Sequence, residues 1–308
     1  ISKHPETKLM AKEKGLRVSG HKGKMKSRVN VLLPSDLLKE RYDIVFLATK
    51  ANDLESAMEI ITPFLKKESL VVSLQNGICE DHIAQRVGKE RTVGCVTVWG
   101  ATMVDRGVYD MTSGGEFVIG AINGISKKKL NELANLMELI VPVRISENIY
   151  ASLYSKLVIN SCITTLGVIC GEKLGYMLSR KRLRNLFIQI IKEAVAVADQ
   201  MNLEIEPYSG KIDYKKFISS ETKLANLRRH LTIWLLGQKY RKLKSSSLQS
   251  LQRGKPTEID FFNGYIVTKG KEFNVPVPLN EKLTKMVKEI EKGEREISMK
   301  NFDEIYNE

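Results

Sequence analysis

Two kinds of apolar spacing divide the chain. Up to about residue 146, short unbroken apolar runs alternate with segments whose apolar residues recur every three to four positions. "YDIVFLATK" (42 to 50) and "SLVVSLQNG" (69 to 77) are runs of the first kind; "NDLESAMEIITPFL" between them has helical spacing and an Asn/Asp start. Continuous apolar strands joined by helices predict a parallel sheet covered on both faces. "RTVGCVTVWGA" continues the sheet, "GVYDMT" and "EFVIGA" flank the Ser113-Gly114-Gly115 turn and read as a hairpin, and "KKKLNELANLMEL" and "VPVRIS" add a helix and a last strand. After residue 146 only helical patterns follow, at 147 to 170, 179 to 202, about 221 to 252, 257 to 273 and 279 to 292. The pattern predicts an α/β domain at 1–146 and an all-helical domain at 147–308.

One helical stretch stands apart. "YASLYSKLVINSCITTLG" (150 to 167) is apolar around most of its circumference, which marks a helix buried on nearly all sides, yet Lys156, Asn160 and Thr164 fall on one stripe. Lysine is among the residues least often buried, so an ammonium there needs a partner or a task. Glu258, expected in the first turn of a later helix after Pro256-Thr257, is a candidate partner. Taken alone, the two residues fit a structural ion pair as well as a catalytic one.

In open α/β sheets, ligands lie outside the carboxyl ends of the strands, and two predicted strands end in polar groups: Lys50 and the turn Gln75-Asn76-Gly77. A solvated strand end and a tight Asn-Gly turn account for these residues equally well.

Composition excludes more than it identifies. The 308 residues are 43% hydrophobic and 28% charged, ordinary values for a globular chain, and no apolar run reaches the roughly 18 residues expected of a membrane span. The first residues lack a hydrophobic signal segment, and Cys79, Cys95, Cys162 and Cys170 form no CxxC pair, which together predict a cytoplasmic protein with free structural thiols. The four scattered histidines suggest no metal site. The net charge of +13 is concentrated from 222 to 257, where nine Lys or Arg occur without one Asp or Glu. A solvated, lysine-rich helix face accounts for that run as readily as an anionic partner does; too few aromatics accompany it for a base-stacking surface, so among partners an anionic small molecule or phosphorylated cofactor explains it better than nucleic acid.

A dinucleotide fold should open with a strand, a G-x-G-x-x-G turn and a helix, and no such motif occurs. "PETKLMAKEKG" followed by "LRVSG" matches the segment after the second strand of such a fold, so the expected domain lacks its first βαβ unit.

"ATKANDL" with Lys50, "LQNG" with Asn76, "YSKLVIN" with Lys156 and Asn160, "SSSLQS", and "PTEIDFFNGYIV" with Glu258 occur in the order and at about the spacing found in ketopantoate reductases, the 2-dehydropantoate 2-reductases, which this chain resembles over roughly 42 to 292. The resemblance implies a Rossmann-like parallel sheet followed by a helical domain like that of 6-phosphogluconate dehydrogenase. It implies NADPH-dependent reduction of ketopantoate to pantoate in pantothenate and coenzyme A biosynthesis, by a homodimer. Lys156 looks like the proton donor to the ketone oxygen, and Glu258 like the carboxylate that holds that lysine and the substrate hydroxyl. Asn76, Asn160, Thr164 and Ser246 correspond to substrate-binding positions, and Lys50, Asn76 and Glu258 to positions at the NADP cofactor.

The chain departs from the common pattern at three positions: Thr164 replaces a second Asn, Ser247 a Met and Ser250 an Asp. A reductase of another 2-oxo acid with the same chemistry is therefore an alternative, as is a catalytically silent basic polyanion-binding protein.

Overall fold

The computed structural model describes residues 1–37, 41–208, 210 and 212–306. The chain forms two compact units, one made of Ile1–Gln75 with Cys79–Ile149, the other of Asn76–Ile78 with Tyr150–Glu308.

The first unit contains, in chain order, α1 (Pro5–Lys14), β1 (Leu16–Gly20), β2 (Met25–Ser27), β3 (Tyr42–Leu47), α2 (Leu54–Ile61), β4 (Leu65–Ser73), α3 (Glu80–Val87), β5 (Thr92–Thr97), β6 (Gly100–Asp105), β7 (Val108–Ser113), β8 (Phe117–Ala121), α4 (Lys127–Glu138) and β9 (Val143–Ile145). Five strands make the Rossmann-like sheet in the order β3-β4-β5-β8-β9. Neighbours run parallel except β5 and β8, which are antiparallel. The far half of β4 and nearly all of β5 are buried without alternation, as in a sheet covered on both faces. Helix α4, capped by the Ser126 hydroxyl accepting from the Lys129 amide, lays Leu130, Leu133, Ala134 and Met137 against Leu70, Val72, Val93, Cys95, Phe117 and Ile119.

The strand predicted at 42 to 50 is an edge strand. Its middle is only half-buried, and Phe46 is exposed.

The predicted hairpin does not form. β7 pairs antiparallel with β6 and parallel with β1 in a separate four-stranded sheet, β2-β1-β7-β6, whereas β8 pairs with β5 and β9. The Ser113-Gly114-Gly115 segment is the crossing between the two sheets. At Gly115 a Cβ would stand 2.3 Å from the Val98 carbonyl oxygen, so only glycine lets the strands pass this closely. "RTVGCVTVWGA" likewise changes sheet, its last residues opening β6.

The second unit is helical: α5 (Ile149–Cys170), α6 (Leu174–Ser179), α7 (Lys181–Gln200), α8 (Tyr214–Ile218), α9 (Lys223–Lys239), α10 (Ser246–Gln252), α11 (Asn263–Glu272), α12 (Pro278–Glu291) and α13 (Asp303–Tyr306). Among the described residues its only β structure is an isolated bridge between Tyr208 and Ile212. α5 is long and apolar enough by composition to cross a bilayer, contrary to the reading of its sequence, but 83% of that window is buried, and it is the core helix of this unit. The single helix expected over 221 to 252 is two. The chain leaves helical geometry at Tyr240 and restarts at Ser245, whose hydroxyl accepts from the Leu248 amide; a run of three serines caps a helix better than it continues one. The pattern at 257 to 273 is also divided: a 3-10 turn, Ile259–Phe261, precedes α11, and Phe262 between them has φ −113° and ψ −97°.

A candidate reductase site

The polar stripe of α5 is present as its sequence suggests. Along a helix otherwise buried apart from Tyr150 and Ile163, Lys156 and Asn160 are half-buried, with Thr164 next on the same face and nearly covered. The backbone around Lys156 is pinned from both sides. The Tyr154 hydroxyl donates to the Ala194 carbonyl of α7 at 2.8 Å, and the Ser155 carbonyl accepts from the Tyr214 hydroxyl of α8 at 2.7 Å. One turn earlier the Ser152 hydroxyl donates to Glu206 at 2.8 Å. Burial raises the Tyr154 and Tyr214 phenols well above their ordinary pKa, so both remain hydroxyl donors. The lysine is thus carried by a rigid segment, which a positioned proton donor needs.

Thr164 differs from the asparagine that is common at its position in more than size. Its hydroxyl donates to the Asn160 carbonyl at 2.7 Å, one turn back on its own helix. With its proton committed there, Thr164 offers a ligand a lone pair and a methyl group rather than a donor.

α10 meets this helix end-on. The Ser245 hydroxyl, which caps α10, also reaches the Thr164 carbonyl at 3.4 Å. Ser246, the first residue of α10, is exposed beside that contact, whereas Ser247 and Ser250 are buried. The Ser250 hydroxyl donates to the Ser246 carbonyl at 3.1 Å. Of the departures in "SSSLQS", both therefore point into the packing of the helical unit.

Glu258 is almost fully buried and ends the extended segment before the 3-10 turn, rather than lying within a helical first turn. The backbone before it is held by Glu291, whose carboxylate accepts from the Thr257 amide at 2.7 Å and its hydroxyl at 2.6 Å. The backbone after it meets the Asn76 turn. Gly77 has φ +85°, and a Cβ there would lie 2.8 Å from both Cβ and the carbonyl oxygen of Phe261. Glycine is required twice at this position, by its dihedral angle and by this contact. The turn that carries Asn76 accordingly packs with the helical unit although it ends a strand of the other. Asn76, Lys156, Asn160, Thr164, Ser246 and Glu258 all belong to this second unit.

A buried network absent from the sequence reading joins the helices behind these residues. Glu193 of α7 accepts from the Leu279 and Asn280 amides at 3.0 Å each and from the Asn280 side chain at 2.7 Å, at the N-terminus of α12. The Asn280 side-chain oxygen accepts from Asn263 at 2.9 Å, and Asn263 in turn accepts from Thr165 of α5. Four helices are thereby keyed together by satisfied polar groups. The only sequence signal was a polar residue inside each apolar stretch.

Lys50 belongs to the first unit. It is exposed at the carboxyl end of β3, and Gln75 at the end of β4 fastens the two strand ends by donating to the Thr49 hydroxyl and the Lys50 carbonyl, both at 3.1 Å. The backbone at Lys50 is thereby fixed, with its side chain exposed at the sheet edge where ligands of open parallel sheets lie. Just beyond, Glu80 opens α3 fully buried. The Ser73 hydroxyl and the Cys79 and Glu80 amides face its carboxyl without closing a well-formed hydrogen bond, Asp81 adds repulsion, and burial pushes the pKa from 4.5 up to about 8. All four cysteines are buried and free, and among the described residues no three His, Cys, Asp or Glu gather as a metal site.

Two family profiles match the chain: ketopantoate reductase PanE/ApbA over residues 4–124 and ketopantoate reductase PanE/ApbA C terminal over residues 148–291. A 2-dehydropantoate 2-reductase of Pyrococcus abyssi (strain GE5 / Orsay) is 28% identical over 282 residues, covering 90% of this chain and 84% of the relative. The crystal structure of a PanE/ApbA family ketopantoate reductase from Ralstonia eutropha JMP134 aligns with a TM-score of 0.79 at 25% identity, over 95% of this chain and 90% of that one. A D-mandelate dehydrogenase in a ternary structure with NADH and anilino(oxo)acetate aligns with a TM-score of 0.80 at 23% identity, over 94% and 89%, which shows a shared fold. The chain, with its Rossmann-like sheet and its helical C-terminal unit, belongs to the ketopantoate reductase family of oxidoreductases.

Proposed function

We propose that the protein reduces ketopantoate to pantoate, with NADPH as hydride source, in the cytoplasm. The observation that carries this reading is the α5 stripe, an ammonium and an amide on an otherwise buried helix, flanked by a capped helix N-terminus at Thr164. Bound NADPH supplies a hydride to C2 of the 2-oxo acid. Lys156 donates a proton to the oxygen on that carbon, so the carbonyl becomes an alcohol and the lysine is left neutral. Glu258 holds the lysine and the substrate hydroxyl. Asn76, Asn160 and Ser246 orient the acid, and Thr164 contributes an accepting oxygen to the same wall. In this reading Lys50, Asn76 and Glu258 are the residues that would bind the cofactor. The same reading has the protein act as a homodimer.

One observation favours a second substrate. The Thr164 hydroxyl proton is engaged on the Asn160 carbonyl, so the site has a methyl group where an amide is common. That change suits a more apolar 2-oxo acid, and the D-mandelate dehydrogenase that shares this fold was crystallised with anilino(oxo)acetate, an acid bearing a phenylamino group. NADPH and NADH oxidation by the full-length protein with ketopantoate and with benzoylformate separates the readings. A kcat/KM favouring ketopantoate supports the first, one favouring benzoylformate the second, and turnover of neither contradicts both.

A further inference from the structure

The candidate site leaves one buried acid without a task. Glu80, the first residue of α3, is fully buried, and neither of its carboxyl oxygens has a hydrogen-bond partner among the described residues. The Ser73 hydroxyl, equally buried, has none either. An acid in the first turn of a helix is ordinarily a solvated carboxylate that answers the helix dipole. Two desolvated, unpaired oxygens are instead the surroundings of a neutral carboxylic acid, because an ionised one would forfeit its hydration with nothing in exchange. Burial accordingly lifts the pKa from 4.5 to about 8, against the weaker opposing pull of the Glu80 and Cys79 amides and the Ser73 hydroxyl.

Its place in the chain supplies the task. Ser73 is the last residue of β4 and Glu80 the first of α3, so the two are the stems of the loop 74–79. Just past the Ser73 stem, the Leu74 amide donates to the Leu47 carbonyl at 2.9 Å, and the Gln75 side chain donates to the Thr49 hydroxyl and the Lys50 carbonyl. The end of β3, with Lys50, is thus tied to the strand whose last residue faces Glu80. A neutral carboxyl group is donor and acceptor at once, so it can give its proton to the Ser73 oxygen while its other oxygen takes an amide proton. A carboxylate only accepts. To ionise, Glu80 must draw in water or swing outward, and either movement parts the stems.

We propose that Glu80 is a positioning residue for the cofactor edge: as a neutral acid it clasps the Ser73 stem and holds the ends of β3 and β4, with Lys50 and Gln75, in the arrangement that takes the dinucleotide. The proposal rests on the cofactor reading above and adds to it a residue that touches no ligand. Cofactor affinity then depends on a single proton in the interior of the first unit.

The groups around Glu80 leave that proton to its own carboxyl. Asp81, next on α3, opposes its ionisation. On the outer side of α3, His82 and Arg86 face Glu55 of α2, at 3.9 and 2.8 Å. The strands on which α3 packs are β4 and β5; β4 brings the Ser73 hydroxyl, its charged residues Lys66, Lys67 and Glu68 lying at the opposite end, and the one titratable group of β5 is the buried Cys95 thiol. The Cys79 thiol that precedes Glu80 is buried as well. The turn Lys89–Arg91 follows the far end of the helix, where Arg91 donates to the carbonyls of Ser69 and Lys66.

The test is the dissociation constant of NADPH, read from its fluorescence, for the full-length protein across this pH range, wild type against Glu80→Gln, with the fold checked by circular dichroism at each pH. We expect wild-type affinity to hold up to about pH 8 and then to fall, by at least about tenfold between about pH 7 and about pH 9.5, as the competent fraction shrinks. Glutamine keeps a donor and an acceptor but cannot ionise, so the variant should lack this fall. The ratio of the two affinities removes titrations that both proteins share, those of the dinucleotide phosphates and the exposed lysines, and a merely structural contact would leave that ratio constant with pH. Should Glu80→Gln fail to fold, Ser73→Ala replaces it: without the hydroxyl that favours the ionised form, the fall must begin at a higher pH than in the wild type. Wild-type affinity that is level across the range, a fall that persists in Glu80→Gln, or one that does not move in Ser73→Ala overturns the role of Glu80 and leaves the cofactor reading intact. A wild type that binds neither NADPH nor NADH at about pH 7 overturns the cofactor reading, and this role with it.

Discussion

α5 and α9 are mirror cases of one rule. α5 is apolar nearly all round and buried, with a polar stripe; α9 buries an arginine and a histidine and turns a leucine stripe to water. In each, the informative residues are those that violate the environment around them, because ordinary packing does not account for them. A half-buried lysine on a core helix is a position open to a small polar ligand, and the exposed leucine stripe is a face that packing within its own unit leaves uncovered. Substitutions on the two helices should therefore separate catalysis from folding.

The largest effect is expected at the α5 stripe. Lys156→Ala should lower kcat by about 10²- to 10⁴-fold while thermal stability changes little, since the side chain is half-buried on a helix anchored by its neighbours. Steady-state kinetics alongside a melting curve checks both parts. Next come paired truncations of leucine. Leu157→Ala, on the buried side of α5, should cost about 2–5 kcal/mol in urea unfolding, whereas Leu231→Ala, on the exposed side of α9, should change stability by less than about 0.5 kcal/mol. Equal costs at the two positions would remove the contrast.

Much of this was legible before the structure. The periods of the apolar residues separated strands from helices, and the α5 stripe was visible because its register needs only one helix. What escaped depended on partners distant in sequence. No local signal says that β7 and β8, on either side of two glycines, join different sheets, because that choice is made by β1, β6, β5 and β9. Nor does local pattern show that Glu193 will cap α12 or that Asn263 will bridge Thr165 and Asn280, since each is a single polar residue in an apolar run until its partners are placed. The break in the long helix after Tyr240 was readable, with three serines marking a cap. The apolar spacing runs on across it in helical register and masks the break.

Smaller effects test the supports of the site. Glu80 is neutral in the folded protein up to about pH 8 but ionises near 4.5 when exposed. Between those values the unfolded chain releases a proton that the native chain retains, so stability falls as pH rises through this window and levels off above it. Glu80→Gln should abolish that slope and be more stable than wild type at pH 8 by on the order of 1–2 kcal/mol, read from urea midpoints at pH 5 and 8. Ser245→Ala removes the α10 cap and its contact with the Thr164 carbonyl. It should cost about 1 kcal/mol and raise KM for the 2-oxo acid more than it lowers kcat, because Ser246 loses its fixed position.

The central claim is that Lys156 protonates a 2-oxo acid as it is reduced. Its most direct test is single-turnover oxidation of NADPH by the full-length protein with saturating ketopantoate, wild type against Lys156→Ala. The account predicts rapid oxidation with stoichiometric pantoate in the wild type and a rate at least about 100-fold lower in the variant; equal rates in the two proteins would contradict it.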